Sequence, residues 1–130
     1  MSNKIEFTRG DAAYHTFSIP ADAWTAGGTL FFAAKPIIDD DNTDAASLIN
    51  GDWDDADVTN TTIDGVAYKE YNCYFPPAAT SGILSNGADE AEYLGEFQYV
   101  PITGIPVTFP ANNKKLEAVV YFDVKRKTVV

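Results

Sequence analysis

The sequence has very little of the chemistry that reactive sites need. It contains one cysteine, Cys73, and one histidine, His15, in 130 residues. A single cysteine cannot form a disulfide within this chain and is typical of proteins that fold in a reducing cytosol. One thiol and one imidazole cannot supply the three or four nitrogen and sulfur ligands of a zinc site, and these two do not match a known nucleophile spacing. We therefore expect Cys73 to be a small buried residue and His15 to lie on the surface of a strand.

Long apolar runs are also missing. The longest, Leu30–Ala34 and Ala118–Phe122, are five residues each, whereas a membrane-spanning helix needs about 20. The first residues include one lysine and no apolar segment, so we expect no cleaved signal peptide. Glycine-rich phosphate loops and nucleophile elbows are absent from the sequence. These absences predict a protein that is not an enzyme, carries no cofactor and does not partner a membrane.

Basic residues are scarce, with nine Lys and Arg against 19 Asp and Glu, a net charge of −10. This charge repels nucleic acid, so we expect no nucleic-acid partner. The few cations are clustered near the end of the chain, at Lys114, Lys115, Lys125, Arg126 and Lys127. They form either a solvated face or one half of a contact between copies of the chain, with an acidic region as the other half.

The acidic region lies between residues 39 and 64, which hold nine aspartates and no Lys or Arg. Its oxygen ligands suit Ca²⁺, but the run does not match the helix-loop-helix calcium pattern, because Ala45 and Gly51 occupy the positions that need Gly and an acid. A solvated acidic loop and a weak calcium site therefore both stay open. The weak candidate ligands are Asp39, Asp41, Asp44, Asp52 and Asp54.

Apolar residues alternate with polar ones through most of the chain, and helical periodicity is nearly absent. Asp64-Gly65 between two such runs is a strong signal for a tight hairpin. The pattern predicts an all-β fold over residues 1–130, a single antiparallel Ig-like β-sandwich of about eight strands with a long acidic loop at about 37–57. The clearest predicted strands are 30–35, 58–63, 66–75, 93–100, 107–109 and 116–125.

The two tryptophans, Trp24 and Trp53, fall in predicted loops. Three interpretations are open for each: a cap on the end of the core, a protein contact, or a platform for a sugar ring. We count both tryptophans as candidate contact residues, together with Asp54, Asp55 and Asp57 of the acidic loop.

Arg9-Gly10-Asp11 spells the tripeptide that integrins recognise. The structural interpretation is stronger, because Gly10 permits a positive φ between two strands and Asp11 can accept bonds from nearby amides. We therefore interpret this tripeptide as a turn.

Several of these segments together resemble a known family. The strand ending in Phe7-Thr8-Arg9-Gly10-Asp11, the run Thr29-Leu30-Phe31-Phe32 with Lys35, the acids Asp39–Asp41 and the strand Tyr93–Tyr99 carry the likeness. They resemble the small Ig-like β-sandwich domains of tailed-phage and prophage tail or baseplate proteins. The upper-baseplate N-terminal domain of lactococcal-type phages is the group that they are most similar to.

The resemblance implies a non-enzymatic structural protein of a bacteriophage or prophage virion, in its tail, baseplate or neck. Such a protein is assembled in the bacterial host cytoplasm and contacts other virion proteins and itself, as a homo-oligomer or ring. The expected contact surfaces are the acidic loop, with Trp53, and the basic last strand. The alternative from another class is a β-sandwich binding module for a glycan or Ca²⁺.

Overall fold

The fold is built almost entirely of β-strands, in a computed structural model that describes residues 4–36, 49–84, 87–109 and 116–122. The predicted all-β class is confirmed. Within these ranges, helix is limited to one α-helical turn, α1 (Ala78–Ser81), and two 3-10 turns, Ala21–Ala23 and Asp55–Asp57. The strands in these ranges are β1 (Lys4–Thr8), β2 (Ala13–Pro20), β3 (Thr29–Pro36), β4 (Ile49–Trp53), β5 (Val58–Ile63), β6 (Val66–Phe75), β7 (Glu90–Val100), β8 (Val107–Phe109) and β9 (Leu116–Tyr121).

The strands form two sheets. The larger sheet has the order β1-β9-β7-β3-β4, with β8 also paired to β7, and the smaller has the order β2-β6-β5. Strand β7 is the centre of the larger sheet: β3 pairs along one side, and β9 and β8 pair in succession along the other. With eleven residues, β7 is the longest strand of the described chain.

One pairing departs from the expected antiparallel arrangement, because β1 and β9 run parallel. The chain leaves the larger sheet after β1 and enters the smaller one at β2, so β1 cannot form a hairpin with its neighbour in sequence. It pairs instead with the last described strand, with Ile5 opposite Ala118 and Phe7 opposite Val120. The larger sheet is therefore mixed.

The hairpin between β5 and β6 follows the prediction. Ile63 and Val66 are paired across a two-residue turn, in which Asp64 has φ 51° and Gly65 has φ 81°. Two consecutive positive φ values define the turn type whose twist matches that of the flanking strands. Gly65 adopts this conformation without cost, and aspartate tolerates it better than most residues do.

A shared aromatic core joins the two sheets. Phe97 of β7 stacks on Phe17 of β2, with ring centroids 4.2 Å apart. Phe75 of β6 meets Phe7 of β1 edge to face at 4.9 Å and Phe32 of β3 at 5.5 Å. Burying each such ring contributes about 1.5–3 kcal/mol, and edge-to-face pairs add about 0.5–1.5 kcal/mol. These contacts cross between the sheets and hold them face to face.

The predicted acidic loop at about 37–57 is wrong in its second half. Residues 49–53 form β4, which pairs antiparallel with β3. Ile49 and Trp53 of this strand are buried, and pairing with β3 allows a strand within an acidic segment. The first part of the segment, residues 37–48, lies outside the described residues.

Candidate interaction surface

Three connections meet at one end of the fold, and we call them the loop end: residues 24–28, 54–57 and 101–106. The Gly27 amide donates to an Asp55 carboxylate oxygen at 2.8 Å, which joins the first connection to the second. Ile102 covers Gly27, and a Cβ at residue 27 would lie 3.2 Å from the Ile102 Cδ1 atom. The loop end therefore places acidic and apolar side chains next to each other.

The acidic part of the loop end is the 3-10 turn Asp55–Asp57. An Asp54 carboxylate oxygen accepts from the Ala56 amide at 2.9 Å, and an Asp57 oxygen accepts from the Asp54 amide at 3.2 Å. This reciprocal arrangement is a capping box formed by two acids three residues apart, with Asp57 in the place usually taken by Glu or Gln. The predicted contact residues Asp54, Asp55 and Asp57 are thus brought together, with the first two exposed.

The apolar part of the loop end is the connection between β7 and β8, which is bounded by Pro101 and Pro106. Ile102 is 70% exposed and Ile105 is 83% exposed. Two exposed aliphatic side chains in one short connection make it a candidate contact surface. This segment lies between the predicted strands 93–100 and 107–109, and the sequence pattern does not mark it as a contact. The signal that could have identified it is the pair of isoleucines in a segment that proline keeps out of both sheets.

Trp24 lies half-buried in the first connection of the loop end and packs against the core. Its indole N–H donates to the Tyr71 hydroxyl at 2.8 Å, and the Lys69 ammonium lies 4.6 Å from its ring centroid. Burial raises the pKa of Tyr71 to about 12, although the hydrogen bond from Trp24 acts in the opposite direction. The tryptophan therefore closes the end of the core, and Lys69 occupies a ring face that a sugar would need.

Tyr99 holds the first connection against β7. Its hydroxyl donates to the Thr25 carbonyl at 2.6 Å and accepts from the Thr25 amide at 3.0 Å. The ring is 1% exposed and contacts Gly28, where a side chain would collide with it. Because both backbone groups of Thr25 bind the same hydroxyl, the connection has a fixed path over the end of the core.

Trp53 is not a surface residue, although the sequence analysis placed it in a loop. It ends β4 with 5% of its side chain exposed, and its indole N–H donates to the Tyr74 carbonyl at 3.2 Å. Its ring meets Phe75 edge to face at 5.1 Å. Trp53 is therefore a core residue and cannot provide the contact or the sugar platform considered for it.

The structure divides the candidate calcium ligands. Asp52 lies on β4 opposite Phe31 of β3, whose side chain is 43% exposed, while Asp54 caps the following 3-10 turn. Within the described ranges, no three His, Cys, Asp or Glu side chains are grouped as metal ligands. Asp39, Asp41 and Asp44 lie outside those ranges, as do the basic contact candidates Lys114, Lys115, Lys125, Arg126 and Lys127.

His15 and Cys73 are direct partners in the register of β2 and β6. His15 is not the surface residue that we expected, because it is half-buried and stacks on Phe97 at 5.9 Å. Burial lowers the pKa of His15 and raises that of the fully buried Cys73 thiol to about 12. A thiolate is the reactive form of cysteine. This pair therefore lacks the activated nucleophile that cysteine catalysis requires.

The Arg-Gly-Asp tripeptide forms the predicted turn, in which Gly10 has φ 81°. The Arg9 guanidinium donates to the Ile83 carbonyl at 2.9 Å and lies 4.9 Å from the Phe122 ring centroid. The Gly10 amide donates to the buried Thr80 hydroxyl at 3.0 Å. Because the arginine is used within the fold, the tripeptide serves as a connection between the two sheets.

An exposed aromatic pair lies on the outer face of the smaller sheet, opposite the face that packs on the core. Tyr14 is 69% exposed and Tyr74 is 42% exposed, and their ring centroids are 5.0 Å apart. Tyr14 borders a shallow cleft of about 230 Å³. Nearby, the Tyr121 hydroxyl donates to a Glu6 carboxylate oxygen at 2.7 Å, and this bond raises the Tyr121 pKa to about 12. The cleft is lined by Glu6, Thr8, Asp11, Ala12, Ala13 and Tyr14.

Comparisons with known proteins give little to place beside this geometry. No family model matches the chain, and no curated protein matches it. One similar solved structure comes from photo-crosslinking work on multimeric cell-adhesive interactions of VGSC beta subunits. It is 9% identical with a TM-score of 0.38, over 92% of this chain and 90% of that chain. Similarity at this level decides neither fold family nor function.

The protein is an all-β domain with two sheets that share one aromatic core. Its most distinctive surface is the loop end, where exposed isoleucines adjoin an acidic turn. No helix within the described ranges has the length and apolar character needed to cross a membrane.

Proposed function

We propose that the chain is a single Ig-like β-sandwich domain that serves as a non-enzymatic structural component of a bacteriophage or prophage virion. It acts in the tail, baseplate or neck through contacts with other virion proteins and with copies of itself. Assembly takes place in the bacterial host cytoplasm. The proposal rests on the sequence resemblance for the virion role and on the loop end for the contact surface.

The observation that carries the contact role is the exposure of Ile102 and Ile105, at 70% and 83%, beside the acids of the loop end. Interfaces combine an apolar centre with a polar rim, and Asp54 and Asp55 supply such a rim. The complementary surface is the basic segment that includes Lys125, Arg126 and Lys127. A contact between the acidic end of one copy and the basic segment of another is heterologous, which is the type that closes into rings.

The test is self-association measured by light scattering over a salt series, for the wild type and two variants. Ile105→Ser removes an apolar contact, and reversal of Lys125, Arg126 and Lys127 to Glu removes the complementary charge. We expect each variant to weaken association by about tenfold, the equivalent of about 1.4 kcal/mol. Added salt should weaken this contact, because it screens the attraction.

Leu84→Ser is the matched control, since Leu84 is 76% exposed and lies outside the loop end. Equal behaviour of this variant and Ile105→Ser would remove the contact role from the loop end. A wild-type monomer at high protein concentration and low salt, unaffected by the charge reversal, would refute self-association. The virion role has its own test: the neighbouring genes should encode capsid, tail-tube and tape-measure proteins.

A glycan-binding module is the second candidate, favoured by the exposed pair of Tyr14 and Tyr74 next to a cleft with the carboxylates of Glu6 and Asp11. Aromatic faces beside hydrogen-bonding carboxylates suit sugar rings. A glycan array followed by calorimetry should give binding that Tyr14→Ala abolishes, with Tyr68→Ala as the control on the same face. A blank array would exclude this function for the sugars tested. Calorimetry with Ca²⁺ tests the calcium form of the same candidate.

A further inference from the structure

Among the residues that the structure describes, strand β5 has an open edge. In the described chain it pairs with β6 on one side, and the sheet order β2-β6-β5 places it at the end of the smaller sheet. An edge strand presents unpaired amide and carbonyl groups that can add a strand from another molecule. Asn60 and Thr62 of β5 are exposed.

The hairpin geometry shows which backbone groups face this edge. In a two-residue hairpin the flanking residues, here Ile63 and Val66, exchange hydrogen bonds. Bonding then alternates along the strand, so the amides and carbonyls of Asn60 and Thr62 point away from β6. The next edge-facing amide, that of Val58, donates to the Asp55 carbonyl within the 3-10 turn. The free groups are therefore centred on Thr61.

The composition of β5 lacks the features that protect edges. Its six residues, Val-Thr-Asn-Thr-Thr-Ile, include five β-branched residues and neither proline nor a charge. Natural edge strands are protected by charges, by proline or by short length. The other edges in the described chain have such protection: Lys4 and Glu6 in β1, Asp52 in β4, Pro20 at the end of β2 and the three-residue length of β8.

We propose that β5 pairs antiparallel with β5 of a second copy, about a two-fold axis at Thr61, to form one six-stranded sheet. This inference rests on the self-association in the proposed function and assigns it a second surface. Asn60 of each copy then lies opposite Thr62 of the other, which gives about four intermolecular hydrogen bonds. The two-fold axis is perpendicular to the sheet, so Thr61 lies opposite Thr61 of the other copy. The inward-facing side chains of both copies then lie on the same face of the joined sheet, and both cores are on that side.

The charge pattern argues for a second copy as the occupant. Two chains of net charge −10 repel each other, and the uncharged β5 is a line along which they can approach. In the proposed register Asp57 of one copy approaches Asp64 of the other at each end of the pair. This contact should therefore tighten as salt is added, because salt screens the repulsion. A partner strand with basic residues would instead bind the β5 edge more weakly as salt is added, because salt would screen an attraction.

The size of the contact predicts a weak dimer. A six-residue edge buries less than the roughly 1,200 Å² at the lower end of stable interfaces. The pairing is therefore populated at high protein concentration, or where an assembly holds several copies together and raises their effective concentration.

Thr61→Lys tests the pairing, because it places two ammonium groups against each other at the axis on an exposed edge. Asn72→Lys is the matched control, since it adds the same charge to an exposed position on the same face of the central strand β6. Sedimentation velocity over a wide concentration range should show dimers of the wild type and of Asn72→Lys that strengthen with salt. Thr61→Lys should weaken the dimer by about tenfold or more. Thermal melts will show that both variants fold.

Amide hydrogen exchange gives an independent readout. Exchange at Asn60 and Thr62 should slow with rising protein concentration, while Thr59 and Thr61 stay equally protected because they bond to β6. Equal dimerisation of the two lysine variants, or exchange at Asn60 and Thr62 that ignores concentration, would overturn the β5 pairing. If association instead weakens with salt and follows the Lys125, Arg126 and Lys127 reversal, the proposed function stands and this inference falls. A wild type that stays monomeric at every salt concentration would contradict both the self-association in the proposed function and the β5 pairing.

Discussion

At the scale of single residues, His15 shows how one strand position depends on its neighbours. The alternation that places Phe17 and Ile19 in the core also places His15 on the inward face. Polarity argued for the surface, and the structure instead stacks the imidazole on Phe97. The sequence thus contained the correct signal in the phase of the strand. The sequence could not show that His15 lies close to Phe97, because Phe97 belongs to the other sheet.

The burial of His15 predicts a pH dependence of stability. Burial lowers the His15 pKa from its ordinary value of 6.5, so below that value the unfolded chain binds more protons and the folded state is disfavoured. The free energy of unfolding should fall as pH decreases from about 6.5 towards the lowered value. The variant His15→Phe keeps an aromatic ring on Phe97. Its free energy of unfolding, measured with urea at several pH values, should change less with pH in this range than that of the wild type. Tyr14→Phe is the control, and an equal slope in the wild type and His15→Phe would contradict the prediction.

At the scale of elements, strands with complete apolar alternation were predicted well, and strands within charged segments were not. The hairpin of β5 and β6 has a strong turn signal, β6 has alternation at Tyr71, Cys73 and Phe75, and the bounds of both strands match the prediction. Strand β4 has only Ile49 and Trp53 as apolar anchors, and it forms because β3 supplies hydrogen-bonding partners along its whole length. Local propensity cannot report such a partner.

The bond from Tyr99 to Thr25 predicts how the loop end is stabilised. Tyr99→Phe leaves the Thr25 amide and carbonyl without their partner, so the free energy of unfolding should fall by about 1–3 kcal/mol. Urea unfolding measures the loss, and hydrogen exchange should show faster exchange at the Thr25 amide. Tyr74→Phe is the control, because its side chain is 42% exposed. A loss equal to that of the control would show that Tyr99 does not hold the connection.

At the scale of the whole molecule, net charge opposes compactness. A charge of −10 produces self-repulsion that salt screens. Thermal unfolding in increasing NaCl should therefore show a rise in Tm of a few degrees, the equivalent of about 1 kcal/mol for a domain of this size. KCl at equal ionic strength should act identically. A Tm that stays constant or falls would contradict the prediction, and a further rise specific to CaCl₂ would support calcium binding.

The sequence by itself determined the all-β class, the hairpin at Asp64-Gly65 and the buried phase of most strands, because alternation and turn chemistry are local properties. Only the tertiary structure decided the parallel pairing of β1 with β9, the burial of Trp53 and the position of Gly27 against Ile102 and Asp55. Each of these joins segments that are far apart in the chain or depends on strand partners. Such contacts depend on packing between sheets, and the local pattern of residues does not encode it directly.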